Sequence, residues 1–154
     1  MTREVLTRLS QVRPSDAELR VMMEAGFVLR EAGKFDAAET VFRGVTELIP
    51  DSDVPRVALG TVELQRGRFA EAHAACEEAV RLRPESLYAR VHRAEALLFL
   101  RRREEAEAEL REIISSDPDS PHSRTANALL EAADLICAQA AEEGATAGSP
   151  AAGV

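Results

Sequence analysis

The triplets Pro50-Asp51-Ser52, Pro84-Glu85-Ser86 and Pro118-Asp119-Ser120 recur 34 residues apart. A fixed period of this size marks a repeat array, in which one unit cannot bury its apolar face alone and must stack on its neighbours. Counting Leu19 as position 1 gives three units, residues 19–52, 53–86 and 87–120. Position 8 is then Gly26, Gly60 and Ala94, small enough for two helices to approach closely. Position 20 is Ala38, Ala72 and Ala106. Position 24 is Phe42, Cys76 and Leu110, and position 27 is Val45, Ala79 and Ile113, both expected to point into the stack. Between the two helices stand Gly33-Lys34-Phe35 and Gly67-Arg68-Phe69. Glycine there can take the left-handed conformation that ends a helix, and the aromatic packs back. The closing proline suits a chain leaving a helix, and the acidic or Ser residue after it can cap the next.

With these residues the chain resembles the tetratricopeptide repeat family over three full units, which implies an all-α, right-handed superhelical solenoid of helix pairs. Two departures stand out. Position 4, usually a bulky aromatic, is Met22, Arg56 and Arg90. The third unit has Arg101 and Arg103 in place of its turn glycine and aromatic, and Arg93 where an aliphatic residue is usual. That unit is expected to be looser packed, or its arginines to find carboxylate partners.

The net charge of −8 argues against a broad nucleic-acid footprint, which needs a basic face. Residues 1–10 carry charges inside every apolar window, so no secretory signal is expected, and no stretch approaches the length of a membrane span. Cys76 and Cys137 are too few for a disulfide framework. Reduced thiols in a cytoplasmic protein are the expectation.

Val5, Leu9 and Val12 have i, i+4, i+7 spacing, which predicts a short helix over residues 1–13. It is read as a cap on the first unit, the alternative being a homodimer contact. Ser15-Asp16-Ala17-Glu18 reads as a capping box opening the array. The repeat domain is expected over residues 14–143, closed by a helix over 121–141 whose stripe of Leu129, Leu130, Ala133, Ile136 and Cys137 covers the last unit. Residues 144–154, rich in Gly, Ala, Ser, Thr and Pro, are expected to be a disordered tail.

No catalytic constellation is expected, and no cofactor. Gly33-Lys34 lacks the rest of a phosphate-binding loop, and no Gly-x-Ser-x-Gly elbow is present. His73 and Cys76, spaced i, i+3, could supply two metal ligands, with Glu77 and His92 the nearest candidates to complete a set. A core Cys76 and an outward His73 are preferred, since zinc sites bring paired ligands at short intervals. Glu104, Glu105, Glu107, Glu109 and Glu112, near Arg101, Arg102, Arg103 and Arg111, are read as solvated i, i+4 pairing on an outer helix.

The resemblance implies that the first helix of each unit lines a concave face through positions 2, 5, 9 and 12. Carried over, these are Arg20, Met23, Phe27 and Arg30; Val54, Val57, Thr61 and Leu64; and Tyr88, Val91, Glu95 and Leu98. The alternative for Val57 and Leu64 is inter-repeat core. Phe27, Met23 and Tyr88 are the preferred contacts, because large apolar groups on a concave surface mark binding sites. Family members that grip the acidic tail of heat-shock chaperones use Lys, Asn and Arg, whereas the matching positions here are Met23, Phe27, Ala58, Tyr88 and His92. The expected ligand is therefore a hydrophobic, extended or partly helical segment of another protein.

Three units, flanking helices, acidic balance and an apolar groove together resemble the class II chaperones of bacterial type III secretion. Gly33-Lys34-Phe35-Asp36-Ala37-Ala38-Glu39-Thr40-Val41-Phe42 is similar to that family's first repeat, and Leu130-Glu131-Ala132-Ala133 is a weaker echo. The resemblance implies a cytoplasmic protein holding a translocator segment. The alternative is a general adaptor or assembly scaffold.

Overall fold

A computed structural model describes residues 13–147 as seven helices: α1 Asp16–Glu31, α2 Phe35–Leu48, α3 Val54–Gln65, α4 Phe69–Leu82, α5 Leu87–Phe99, α6 Arg103–Ser116 and α7 Pro121–Ala147. The expected helix over residues 1–13 falls almost wholly outside the described residues. The last helix runs to Ala147, six residues beyond its expected end. Residues 148–154 of the expected tail lie outside the description.

Local chemistry sets the helix starts. Ser15 Oγ accepts the Glu18 N–H at 3.3 Å while the Ser15 N–H donates to Glu18 Oε2 at 2.7 Å, a reciprocal capping box. The third triplet serine and its middle counterpart act alike: Ser86 Oγ accepts from Ala89 N–H at 3.2 Å, and Ser120 Oγ from Ser123 N–H at 3.0 Å.

Each pair of helices within a unit is joined by the same turn. Gly33 and Gly67 take φ of 71° and 74°. Their N–H groups donate to Arg30 O and Leu64 O, and the next N–H donates to Leu29 O and Glu63 O. In the third unit Arg101 adopts φ of 61° and repeats both bonds, donating to Leu98 O at 3.0 Å while Arg102 donates to Leu97 O at 2.9 Å. A Cβ in this region is unfavourable, so the backbone frame has overridden the side chain. Arg101→Gly is expected to raise stability by about 0.5–1 kcal/mol in urea denaturation. An unchanged or lower midpoint would show that the turn carries no strain.

The helices of a unit meet where position 8 faces position 24. A Cβ on Gly26 would lie 2.5 Å from Phe42 Cε1, and one on Gly60 would lie 2.6 Å from Cys76 Sγ. Phe42, Cys76 and Leu110 are fully buried, as are Ala38, Ala72, Ala106, Val45, Ala79 and Ile113.

The third unit is held partly by charge. Arg90 donates to Glu109 and Glu112, Arg93 donates to Glu77 and Glu109, and Arg103 pairs with Glu107 and Asp134. Glu109 is only 8% exposed, so one member of the acidic run is a buried bridge and not a solvated surface charge. The periodicity of α6 alone could not show that two arginines reach it from α5. Glu107, between Arg103 and Arg111, fits the surface pairing expected, and both cations hold its carboxyl below its usual range.

Candidate functional site

The first helices α1, α3, α5 and α7 touch in sequence, α1 on α3, α3 on α5 and α5 on α7. The second helices α2, α4 and α6 do not touch one another. Close spacing on one side and separation on the other bend the stack, with the first helices on the inner, concave wall.

The twelve expected groove residues divide on this wall. Arg20 and Val54 are exposed; Met23, Phe27, Arg30, Leu64, Tyr88 and Glu95 are half-buried. Val57, Thr61, Val91 and Leu98 are buried, with exposures of 0, 6, 1 and 0%. These four are core in this structure and present no surface to a ligand. The reason is geometric. Helices α3 and α5 are pressed between two other first helices and lose part of their inner face to packing, whereas α1 has such a neighbour on one side only among the described residues. Val57 shows this: it is buried with Ala79 and Ala89, and Tyr88 packs against the same cluster.

Polar contacts tie the wall together. Arg30 Nη1 donates to Thr61 Oγ1 at 2.8 Å and Nη2 to Glu31 Oε1 at 2.6 Å, while its Cζ sits 5.3 Å from the Phe27 ring centre. The Phe27 ring in turn lies 5.2 Å from that of Phe42, tilted by 58°. Arg30 Nε is buried without a hydrogen-bond partner. Tyr88 meets His92 edge-on at 5.1 Å and His122 at 5.9 Å. Burial pushes the Tyr88 hydroxyl up to about 12 despite the opposing charge of Arg30, so it stays neutral and offers a hydrogen-bond donor. His92 Nδ1 lies 2.9 Å from Glu95 Oε2. Along the wall, α1 carries Arg20 and Arg30 together with Met23 and Phe27, α3 carries Val54 and Leu64, and α5 carries a Tyr–His–Glu cluster.

His122 was absent from the expected groove set, although the signal existed. The 34-residue count places Pro121 at position 1 of a fourth half-unit and His122 at position 2, in line with Arg20, Val54 and Tyr88. The same count places Leu129 and Ala132 at positions 9 and 12, both half-buried on α7.

Elsewhere, the Cys76 thiol is buried against Gly60, and desolvation pushes it up to about 12. His73 is half-buried in an outer hollow lined also by Glu77, Arg93, Arg102 and Glu105. Burial first, then the charge of Arg102, holds it below its usual value. Among the described residues no three His, Cys, Asp or Glu side chains are grouped to hold a metal ion. Among them, too, no helix is long and apolar enough to cross a membrane.

A curved stack of helix pairs with an inner wall of mixed apolar and polar side chains defines an all-α repeat solenoid. Residues 63–130 match the tetratricopeptide repeat family model, and the first unit repeats the same turn and helix contact. The fold is that of a tetratricopeptide repeat solenoid, and residues 63–130 carry the sequence match. No curated protein matches the sequence.

Solved structures share the fold. The Yersinia enterocolitica type III secretion translocator chaperone SycD, in an alternative dimer, is 26% identical with a TM-score of 0.66, covering 79% of this chain and 95% of that one. PcrH from Pseudomonas aeruginosa is 22% identical with a TM-score of 0.68, over the same shares of 79% and 95%. The first repeat domain of Spaghetti (RPAP3), bound to the HSP90 peptide SRMEEVD, is 19% identical with a TM-score of 0.63, covering 87% and 98%.

Proposed function

We propose that the chain binds an apolar segment of another polypeptide along the inner wall, as a cytoplasmic type III secretion chaperone for a translocator. The observation that carries the reading is the placement of Met23, Phe27 and Tyr88. They stay half-buried on the inner wall, while Val57, Val91 and Leu98 are withdrawn into the core. Large side chains left partly open on a concave surface supply adaptable contact area. Met23, Phe27, Ala58 and Tyr88 carry no positive charge to clamp a peptide carboxylate at those positions, and the wall's cations, Arg20 and Arg30, stand elsewhere on α1. Support for the finer reading comes from PcrH, which has been crystallised with the chaperone binding region of PopD, and from SycD, described as a translocator chaperone. The mechanism is mass action: a segment held in the groove is withdrawn from aggregation.

The test is coexpression with a type III secretion translocator. Phe27→Asp combined with Tyr88→Asp is expected to weaken the complex at least about 100-fold, since each is an aromatic anchor of the hot-spot kind. Phe27→Leu should weaken it far less, and circular dichroism should show the helices retained in all variants. An undiminished complex would remove the groove from the mechanism. Crosslinks confined to residues 104–112 would point instead to a scaffold that engages partners by its outer side.

A further inference from the structure

Val21 and Val28 on α1 are 64% and 68% exposed, the most open large apolar side chains among the described residues. They occupy positions 3 and 10 of the first unit. In the second unit those positions are Pro55 and Val62, and in the third Ala89 and Ala96, all buried. The inner units bury them because α3 packs on α2 and α5 packs on α4, so each first helix is covered by the second helix that precedes it. Helix α1 has no preceding helix among the described residues. Its open stripe, completed by exposed Ala17 and Ala25, is a face shaped for one.

Residues 1–12 carry the matching pattern. Val5, Leu9 and Val12 have the spacing of positions 20, 24 and 27, the inward face of every second helix, as in Ala38, Phe42 and Val45. They stand 33 residues before those three, one short of the full period. We propose that residues 1–12 act as the second helix of a preceding unit, seating Val5, Leu9 and Val12 on the Val21–Val28 face of α1.

Position 20 is alanine elsewhere because it meets the first helix of its own unit. In the segment this position is Val5. The segment joins α1 through only Arg13, Pro14 and the capping Ser15, so its effective concentration at the stripe is on the order of millimolar, above that of a second copy. A hollow lined by Pro14, Ala17, Glu18, Val21 and Met22 lies where the connection enters. Charge agrees: the segment carries Arg3 and Arg8, and the exposed Glu24 of α1 has no ion pair among the described residues.

Hydrogen exchange on the full chain at low micromolar concentration tests this. Amides of residues 3–12 are expected to be protected about 10- to 100-fold over an unstructured peptide, the range of a locally docked element. Val21→Asp with Val28→Asp should abolish that protection and leave α2 to α7 unchanged. Leu9→Asp, which alters the segment alone, should do the same if the first variant perturbs α1. Absence of protection, or protection indifferent to both variants, would overturn the proposal. Protection that appears only at high concentration with a doubled mass would assign the face to a second copy and overturn it equally.

Discussion

Phe42→Ala is expected to lower stability by about 3–5 kcal/mol, the cost of a large cavity in a core that cannot collapse around it. The ring is fully buried and fills the space that Gly26 leaves open, while Phe27 leans on it from the groove side. The complementary test is sharper because a sign changes. Gly26→Ala alone should destabilise by about 1–2 kcal/mol, since overpacking against the ring outweighs the helix propensity gained. In a Phe42→Leu background the obstruction is gone, and the same substitution should become stabilising by about 0.5–1 kcal/mol. The pair would then match Ala94 and Leu110, which share one cluster in the third unit. Urea denaturation of the four proteins measures the coupling. Equal effects of Gly26→Ala in both backgrounds would show that position 8 is not governed by position 24.

Glu109→Ala should cost about 2–3 kcal/mol, toward the low side for breaking a buried ion pair. Arg90 and Arg93 both lose a partner, but each keeps another, Glu112 and Glu77. Their side chains are also 18% and 21% exposed, so water screens part of the loss. Glu104→Ala is the control: this exposed residue of the same helix should change stability by less than about 0.5 kcal/mol. Comparable losses in the two variants would reduce the network to surface decoration. Because Glu109 is buried, the difference should persist in molar salt, where surface pairs fade.

The repeat was legible because its strongest constraints are local and periodic. Pro-acid-Ser, the turn glycines and the small residue at position 8 each answer to the chain within one unit. The Arg101 turn shows the limit, since nothing local favours a left-handed arginine and only the imposed frame explains it. Groove exposure was less legible. Val57 and Val54 share a helix and a predicted face, yet one is buried and the other is 42% exposed, because the neighbouring helices decide the outcome. His122 was missed by stopping the count at three units. Glu109 was misread because an acidic run on one helix does not reveal cations arriving from another.

The unequal spacing of the two layers has a mechanical corollary. Inner helices already in contact are expected to resist shortening and leave flexing to the outer flank, toward which Arg66 at the end of α3 reaches Asp36 and Glu39 of α2, and Arg93 of α5 reaches Glu77 of α4 and Glu109 of α6. The inner wall is then expected to behave as a ruler of fixed length, with the charged struts behind it as springs. A guest chain would meet constant intervals between footholds, with the stiffness of its cradle adjustable from the far side.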